Sequence, residues 1–230
     1  MNTISAAVTG ARHARAGRNG QDAAATWRGD DRAAIVVCDG CGSGASSEVG
    51  ARLGAGLWIR AVAARLATGA LVWEDVRAEV VEQLAALVAR MPGDAVRECF
   101  LFTIVSATIV GDEVSVWALG DGVYSIDGRS RVLGPFADNQ PPYLGYDLIG
   151  ERHEAHVEIA RGGSVIVATD GAEDLDVDEV ATAGFAHPDG LRRRLAVLAR
   201  SSERVDWDEQ RIVRAPALLQ DDCAIAAVRS

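Results

Sequence analysis

At residues 35–44 the chain contains Ile35-Val36-Val37-Cys38-Asp39-Gly40-Cys41-Gly42-Ser43-Gly44, an apolar run that ends at Asp39 and continues into a glycine-rich segment. The apolar run predicts a buried strand at residues 33–38. The residues that follow favour a loop and a helix, so a tight hairpin turn does not account for Asp39-Gly40. An aspartate at the end of a rigid strand has a well-fixed carboxylate, and an adjacent glycine allows close backbone approach and leaves its carbonyl free as a ligand.

The same pattern of an apolar run next to an aspartate recurs along the chain. Residues 116–120 lead into Asp121-Gly122, residues 165–169 lead into Asp170-Gly171, and Asp221-Asp222 stand directly before a final apolar run. Carboxylates gathered at one end of a sheet repel one another, so such an arrangement is stable only when cations neutralise it. Hard oxygen ligands favour Mg²⁺ or Mn²⁺, and two such ions can clamp a phosphoryl group and activate a water molecule. These aspartates therefore predict a divalent-cation site assembled from distant parts of the chain.

The order of the predicted elements favours an α+β fold within a single domain of residues 1–230. Hydrophobic periodicity predicts grouped strands and grouped helices, without the regular alternation that a doubly wound parallel sheet requires. Antiparallel sheets with helices packed on them are therefore expected. The predicted strands span residues 3–9, 33–38, 100–110, 113–119, 123–126, 131–133, 155–160, 164–169 and 223–229, and the predicted helices span residues 46–66, 73–90 and 191–200.

The composition indicates a globular protein and argues against several partners. The 230 residues are 49% hydrophobic and carry a formal net charge of −10, which disfavours nucleic acid or an anionic membrane as the main partner. The longest apolar stretches, about 10 residues, fall short of the roughly 20 that a membrane-spanning helix needs. The N-terminus lacks the apolar segment of a secretory signal. Three of the four cysteines sit in apolar or glycine-rich runs that suit reduced, buried thiols, and together these features predict a cytoplasmic protein.

Two other interpretations of the glycine-rich segment are open at this point. Cys38 and Cys41 have the C-x-x-C spacing of redox and zinc sites, but the second pair that a zinc site needs is absent. Residues 40–45 fit the G-x-G-x-x-A pattern of a dinucleotide site, yet Asp39 would repel the pyrophosphate and Ile59-Arg60 stand where an acidic residue is required. Both interpretations are weaker than the cation site.

Five short motifs follow one another along the chain. They are Thr9-Gly10-Ala11-Arg12-His13 with residues 17–23, residues 36–44, Leu119-Gly120-Asp121-Gly122, Ala168-Thr169-Asp170-Gly171, and Asp221-Asp222 before an apolar strand. In this order they resemble the motifs of the metal-dependent protein phosphatase 2C family, in particular its compact bacterial branch. The resemblance implies a four-layer α-β-β-α sandwich, two antiparallel sheets flanked by helices, with metals at one end. It also implies hydrolysis of phosphoserine and phosphothreonine in proteins by a hydroxide that bridges the metals.

The resemblance further implies which residues bind the metals. Asp39 would bridge two ions, either Mg²⁺ or Mn²⁺, and the carbonyl of Gly40 would bind one of them. Asp170 and Asp221 would hold the other ion, so that the three aspartates are the implied catalytic residues. Asp121 matches the family residue associated with a third, weaker ion. Phosphorylated proteins are the implied partners, with a partner kinase as a further candidate.

This sequence departs from the family pattern at three positions near the implied metals. Asp22 would support the metal site from behind, but its neighbour Gln21, which would share that role, stands where many members have glutamate. Cys41 stands where some members carry a histidine proposed as the general acid, so a water would protonate the leaving group here. Gly122 replaces the usual serine.

A fourth departure concerns phosphate binding. Gly17 stands where larger family members have a phosphate-binding arginine, and Arg18 or His13 are the candidates to substitute for it. The alternative to an active enzyme is a catalytically weak or inactive regulatory or binding module on the same fold, which Gln21 and Cys41 favour. The complete set of aspartates favours the active enzyme.

Overall fold

The computed structural model describes residues 1–69, 71–187 and 189–230, and it contains two five-stranded sheets. The strands are β1 (Asn2–Val8), β2 (Ala23–Arg28), β3 (Arg32–Gly40), β4 (Phe102–Val110), β5 (Glu113–Leu119), β6 (Gly122–Ile126), β7 (Arg129–Leu133), β8 (His156–Arg161), β9 (Ser164–Ala168), β10 (Ser202–Asp206), β11 (Arg211–Ala215) and β12 (Cys223–Arg229). The helices are α1 (Ala11–Ala16), α2 (Ser47–Thr68), α3 (Trp73–Val88), α4 (Ala95–Cys99), α5 (Val177–Phe185) and α6 (Gly190–Leu198). Short 3₁₀ turns lie at Ala137–Asn139, Leu144–Ile149 and Asp170–Ala172.

The two sheets stack face to face between two layers of helices. One sheet has the strand order β1-β12-β9-β6-β7 and the other β2-β3-β4-β5-β8, and the neighbouring strands pair antiparallel. Helices α2 and α3 pack on the sheet that contains β3, and α5 and α6 pack on the sheet that contains β12. The predicted α+β fold, a four-layer α-β-β-α sandwich, is confirmed.

Strand β3 shows why the motif around Asp39 follows a continuous apolar run. Its residues Val36 and Cys38 pack toward the helices, whereas Ile35 and Val37 pack toward the second sheet. Because a strand in the middle of the sandwich is buried on both faces, apolar residues are required at successive positions rather than at alternate ones.

Several elements escaped prediction because their sequences carry little periodic signal. Strand β2 consists of small residues that precede Trp27, and the hairpin of β10 and β11 is rich in charged residues and exposed on both strands. Helix α5 begins at Val177, where the side chain of Asp176 accepts a hydrogen bond from the backbone N–H of Glu179 as an N-cap. The predicted hairpins between β4 and β5 and between β6 and β7 are present.

Neither a membrane-spanning helix nor a disulfide bond is found among the described residues. Within the described ranges, no helix has both the length and the apolar character needed to cross a bilayer. The four cysteines are free: Cys38 and Cys223 are buried, whereas Cys41 and Cys99 are half-buried.

Candidate metal centre

A cleft of about 150 Å³ opens at one end of the sandwich, and four of the predicted aspartates line it. Asp39 lies near the end of β3, Asp121 lies between β5 and β6, Asp170 follows β9, and Asp221 precedes β12. None of the described residues that line the cleft is a lysine or an arginine. The structure therefore brings together acidic side chains from four separate parts of the chain.

Close backbone packing holds the segments of the cleft together. A Cβ atom at Gly171 would lie 1.8 Å from the carbonyl oxygen of Asp222, and one at Gly10 would lie 2.1 Å from the carbonyl carbon of Asp221. A Cβ atom at Gly40 would lie 2.9 Å from backbone atoms of neighbouring segments. Glycine is therefore required at these three positions by the approach of other backbone segments.

Asp22 and Asp39 form a pair of carboxyl groups at the back of the cleft. Asp22 is buried, and the hydroxyl of Thr169 donates a hydrogen bond of 2.5 Å to it. Burial raises the pKa of Asp22 from its usual 3.8 to about 8, although the hydrogen bond from Thr169 opposes this shift. Burial also raises the pKa of Asp39 well above its usual value, and the charge of Asp22 adds to the effect. Without a cation, these two groups therefore resist carrying two negative charges.

Asp170 and Asp121 add to the negative charge at the mouth of the cleft. Desolvation of the carboxyl group by the surrounding protein, together with repulsion from Asp121 and Asp221, raises the pKa of Asp170 to about 6. Burial raises the pKa of Asp121, and the charge of Glu173 contributes in the same direction.

One oxygen of Asp121 identifies the kind of ligand that fits the cleft. The Oδ1 atom is buried and has no hydrogen-bond partner among the described residues. A buried carboxylate oxygen without a partner is costly, and a cation compensates for it. Carboxylate and carbonyl oxygens are hard ligands, so the cleft fits Mg²⁺ or Mn²⁺ better than a thiolate-preferring metal.

A tighter cluster lies at one wall of the cleft, which Asp221 and Asp222 line. Among the described residues, one group brings three potential ligand atoms within 4.8 Å of one another: His13, Asp221 and Asp222. Both carboxylate oxygens of Asp222 already accept hydrogen bonds from N–H groups, two from the backbone and one from the His13 ring. We therefore interpret this group as a hydrogen-bonded cluster rather than an open cation site.

Comparison with known proteins identifies the family. The family model described as protein phosphatase 2C matches residues 9–214. The chain belongs to this family. No curated protein sequence matches the chain.

Solved structures of bacterial phosphatases share this protein phosphatase 2C fold. The serine/threonine phosphatase Stp1 from Staphylococcus aureus is 14% identical, with a TM-score of 0.63 over 100% of this chain and 95% of that chain. The S. agalactiae serine/threonine phosphatase is 14% identical, with a TM-score of 0.62 over 98% of each chain. RsbX, solved in complex with magnesium, is 14% identical, with a TM-score of 0.56 over 99% of this chain and 94% of that chain.

The N-terminal motif of this protein phosphatase 2C chain contacts segments that border the cleft. Arg18 is exposed, and its Nη2 donates to the carbonyl oxygen of Gly44 at 3.2 Å. The ring of His13 contacts Asp222. Neither Arg18 nor His13 is among the residues that line the cleft, but ligand atoms of His13, Asp221 and Asp222 lie within 4.8 Å of one another. Phosphate binding by Arg18 or His13 stays a prediction. The short helix α1 ends at Gly17 in the left-handed conformation (φ 66°).

Gln21 lines the cleft, and its side chain is hydrogen-bonded to a neighbouring residue. Its side-chain Nε2 donates to the hydroxyl of Ser47 at 2.6 Å, at the start of α2. Gln21 is buried, so this neutral amide fixes the position of the loop without adding a charge to the cleft.

Sequence reasoning missed one wall of the cleft. Asn139, Pro141 and Tyr143 line it, and they lie in the segment after β7, where no periodic pattern or motif marked them. Tyr143 also contacts Cys41, whose Sγ lies 3.1 Å from the hydroxyl of Ser43. Partial burial opposes the Cys41 thiolate, but hydrogen bonds from Ser43 and Tyr143 outweigh it, so the pKa of Cys41 is lowered. This wall therefore places a polarised thiol at the rim of the candidate metal centre.

Proposed function

We propose that this chain is a divalent-metal-dependent phosphatase that hydrolyses phosphoserine and phosphothreonine in proteins. The observation that carries the proposal is the convergence of Asp39, Asp121, Asp170 and Asp221 on one cleft without a neighbouring lysine or arginine among its described lining residues. The unpartnered Oδ1 of Asp121 supports a cation at the same place. Membership in the protein phosphatase 2C family supports the reaction class.

The proposed ligand set follows the positions of the aspartates. Asp39 would bridge two Mg²⁺ or Mn²⁺ ions, the carbonyl of Gly40 would bind one of them, and Asp170 and Asp221 would hold the other. Asp121 would bind a third ion. Ions bound there supply an activated water and neutralise the oxygens of the phosphoryl group.

The protein contributes orientation and a charged pocket. Asp22 and Thr169 lie behind Asp39 and hold its carboxylate at the end of β3. None of the described residues that line the cleft is a histidine, so we assign protonation of the leaving oxygen to solvent water. Phosphorylated proteins are the proposed substrates.

The proposal is tested with p-nitrophenyl phosphate and a phosphothreonine peptide in the presence of Mn²⁺ or a chelator. We expect turnover with Mn²⁺ and none with the chelator. Asp39→Asn keeps the shape of the side chain but removes its charge, and it should lower kcat at least about 100-fold. Asp127→Asn is the matched control, because Asp127 accepts hydrogen bonds in the turn between β6 and β7 outside the cleft, and its turnover should stay close to wild type.

The same assay separates the enzyme from a regulatory or binding module. A module that uses the fold only to recognise phosphoproteins would bind the phosphopeptide without releasing phosphate. Wild-type protein that binds Mn²⁺ but releases no phosphate from either substrate would overturn the proposed function.

A further inference from the structure

Asp222 is a buried carboxylate next to the candidate metal ligand Asp221. Only 3% of it is exposed, and it accepts three hydrogen bonds from the N-terminal part of the chain. Its Oδ1 accepts the backbone N–H of Gly10 at 2.7 Å. Its Oδ2 accepts the backbone N–H of Gln21 at 2.6 Å and lies 2.7 Å from Nδ1 of His13. Since a carboxylate accepts hydrogen bonds, Nδ1 is the donor in this last contact.

These contacts connect the two ends of the chain at the cleft. The segment between β1 and β2 contains Gly10, His13 and Gln21, whereas Asp222 directly precedes β12. The backbone N–H of Asp222 also donates to Oδ1 of Asp221 at 2.9 Å. One residue thus contacts both a candidate ligand and the segment that precedes Asp22.

We propose that Asp222, paired with His13, is a positioning residue that sets the affinity of the cleft for divalent cations. Its carboxylate fixes Gln21, whose position determines where Asp22 meets Asp39. By the same contacts it fixes the backbone at position 222, whose N–H donates to Oδ1 of Asp221. This inference rests on the proposed function only in requiring that the cleft binds Mn²⁺ or Mg²⁺; it does not require turnover.

The number of donors explains why a carboxylate is needed at position 222. Two oxygens receive three N–H groups, and each oxygen accepts at least one. An asparagine has one acceptor oxygen and one NH₂ group in the same place. In either orientation the NH₂ group would face an N–H group, either of Gly10 or of Gln21 and His13, and a buried donor would lose its acceptor.

The test uses Asp222→Asn with Asp127→Asn as the matched control. Asp127 also accepts backbone N–H groups from a distant segment, those of Gly163 at 3.0 Å and Ser164 at 2.8 Å, but it lies outside the cleft. Binding of Mn²⁺ is measured by isothermal titration calorimetry, and thermal unfolding is measured on the metal-free proteins. We expect Asp222→Asn to weaken Mn²⁺ binding at least about 10-fold, and Asp127→Asn to leave it within about twofold of wild type.

A pair of variants at His13 examines the partner. Asn in place of His13 can present an amide N–H near the position of Nδ1, whereas Ala cannot. His13→Ala should weaken Mn²⁺ binding several-fold, and His13→Asn should restore most of it. The deficit in kcat of Asp222→Asn toward p-nitrophenyl phosphate should be smaller at saturating Mn²⁺ than at limiting Mn²⁺, because the proposed role of the residue is to position the metal ligands.

The outcomes separate this inference from the proposed function. If Asp222→Asn lowers the unfolding temperature but binds Mn²⁺ as tightly as wild type, the residue is only structural and the inference is wrong. If the wild type binds Mn²⁺ but hydrolyses nothing, the proposed function fails while the binding comparison still decides the inference. A wild type that binds neither Mn²⁺ nor Mg²⁺ overturns both.

Discussion

Arg77 and Asp147 form a buried salt bridge with two parallel hydrogen bonds. Nε and Nη2 of Arg77 donate to the two carboxylate oxygens of Asp147, both at 2.7 Å, and the side chains are 2% and 6% exposed. Nη1 of Arg77 donates to the carbonyl oxygen of His153 at 2.9 Å. Since Asp147 belongs to the 3₁₀ turn that follows Tyr143, the pair fixes one wall of the cleft to helix α3.

Removing one member of this pair should destabilise the protein strongly. Arg77→Met leaves the Asp147 carboxylate buried without its partner, which costs about 3–5 kcal/mol. Arg65→Met is the comparison, because Arg65 pairs with the half-exposed Glu79, and such pairs contribute about 1 kcal/mol or less. Urea unfolding of the two variants measures the difference. Equal losses of stability in Arg77→Met and Arg65→Met would show that the buried pair contributes no more to stability than the half-exposed one.

The raised pKa values of the acidic residues predict an unusual pH dependence of stability. The pKa is about 8 for Asp22 and about 6 for Asp170, above the usual 3.8. At a pH between the usual 3.8 and the raised pKa, each of these groups holds a proton in the folded, metal-free protein that it releases in the unfolded chain. The stability of the metal-free protein should therefore fall as the pH rises from about 4 to 8. Mn²⁺ favours the ionised carboxylates and should flatten or reverse this slope.

Urea unfolding at pH 5 and pH 8, with a chelator or with Mn²⁺, measures this effect. Asp22→Asn removes the carboxyl group whose pKa is raised to about 8. In the chelator this variant should therefore lose less stability above pH 6 than the wild type does. A chelated wild type that becomes more stable from pH 5 to pH 8 would contradict the assignment of the raised pKa values.

Cys41 should be the most reactive thiol in the metal-free protein. The thiolate is the nucleophilic form, and the pKa of Cys41 is lowered by its hydrogen bonds despite partial burial. Burial raises the pKa of Cys38, Cys99 and Cys223. A short pulse of iodoacetamide followed by peptide mass spectrometry should find label first on Cys41. Cys99 is the informative comparison because it is also half-buried, and faster labelling there would mean that exposure alone controls reactivity.

The sequence was sufficient to predict a feature when a single physical requirement explained the residues found there. The continuous apolar run of β3 predicted a strand buried on both faces, and the aspartate at its end predicted an acidic cleft. Tyr143 could not be predicted, because its position depends on a salt bridge between residues 70 positions apart. The contacts of Asp222 were equally hidden, since the sequence shows two adjacent aspartates but not which one faces the N-terminal segment. The metal-binding roles of the aspartates stay a prediction until ions are observed.

Gly171 gives a test of the backbone packing that assembles the cleft. A Cβ atom there would lie 1.8 Å from the carbonyl oxygen of Asp222, so Gly171→Ala must displace one of the two segments that carry Asp170 and Asp221. Gly56 is the matched position, because it lies inside helix α2 and a Cβ atom there would meet nothing within 4 Å. Gly56→Ala should stabilise the protein by about 0.5–1 kcal/mol through the higher helix propensity of alanine. Gly171→Ala should destabilise it by about 1–3 kcal/mol, the usual cost of overpacking, and should weaken Mn²⁺ binding as well.

Urea unfolding and calorimetric titration on both variants measure these changes. A Gly171→Ala variant with wild-type stability and Mn²⁺ affinity would mean that the two segments are not held by this contact.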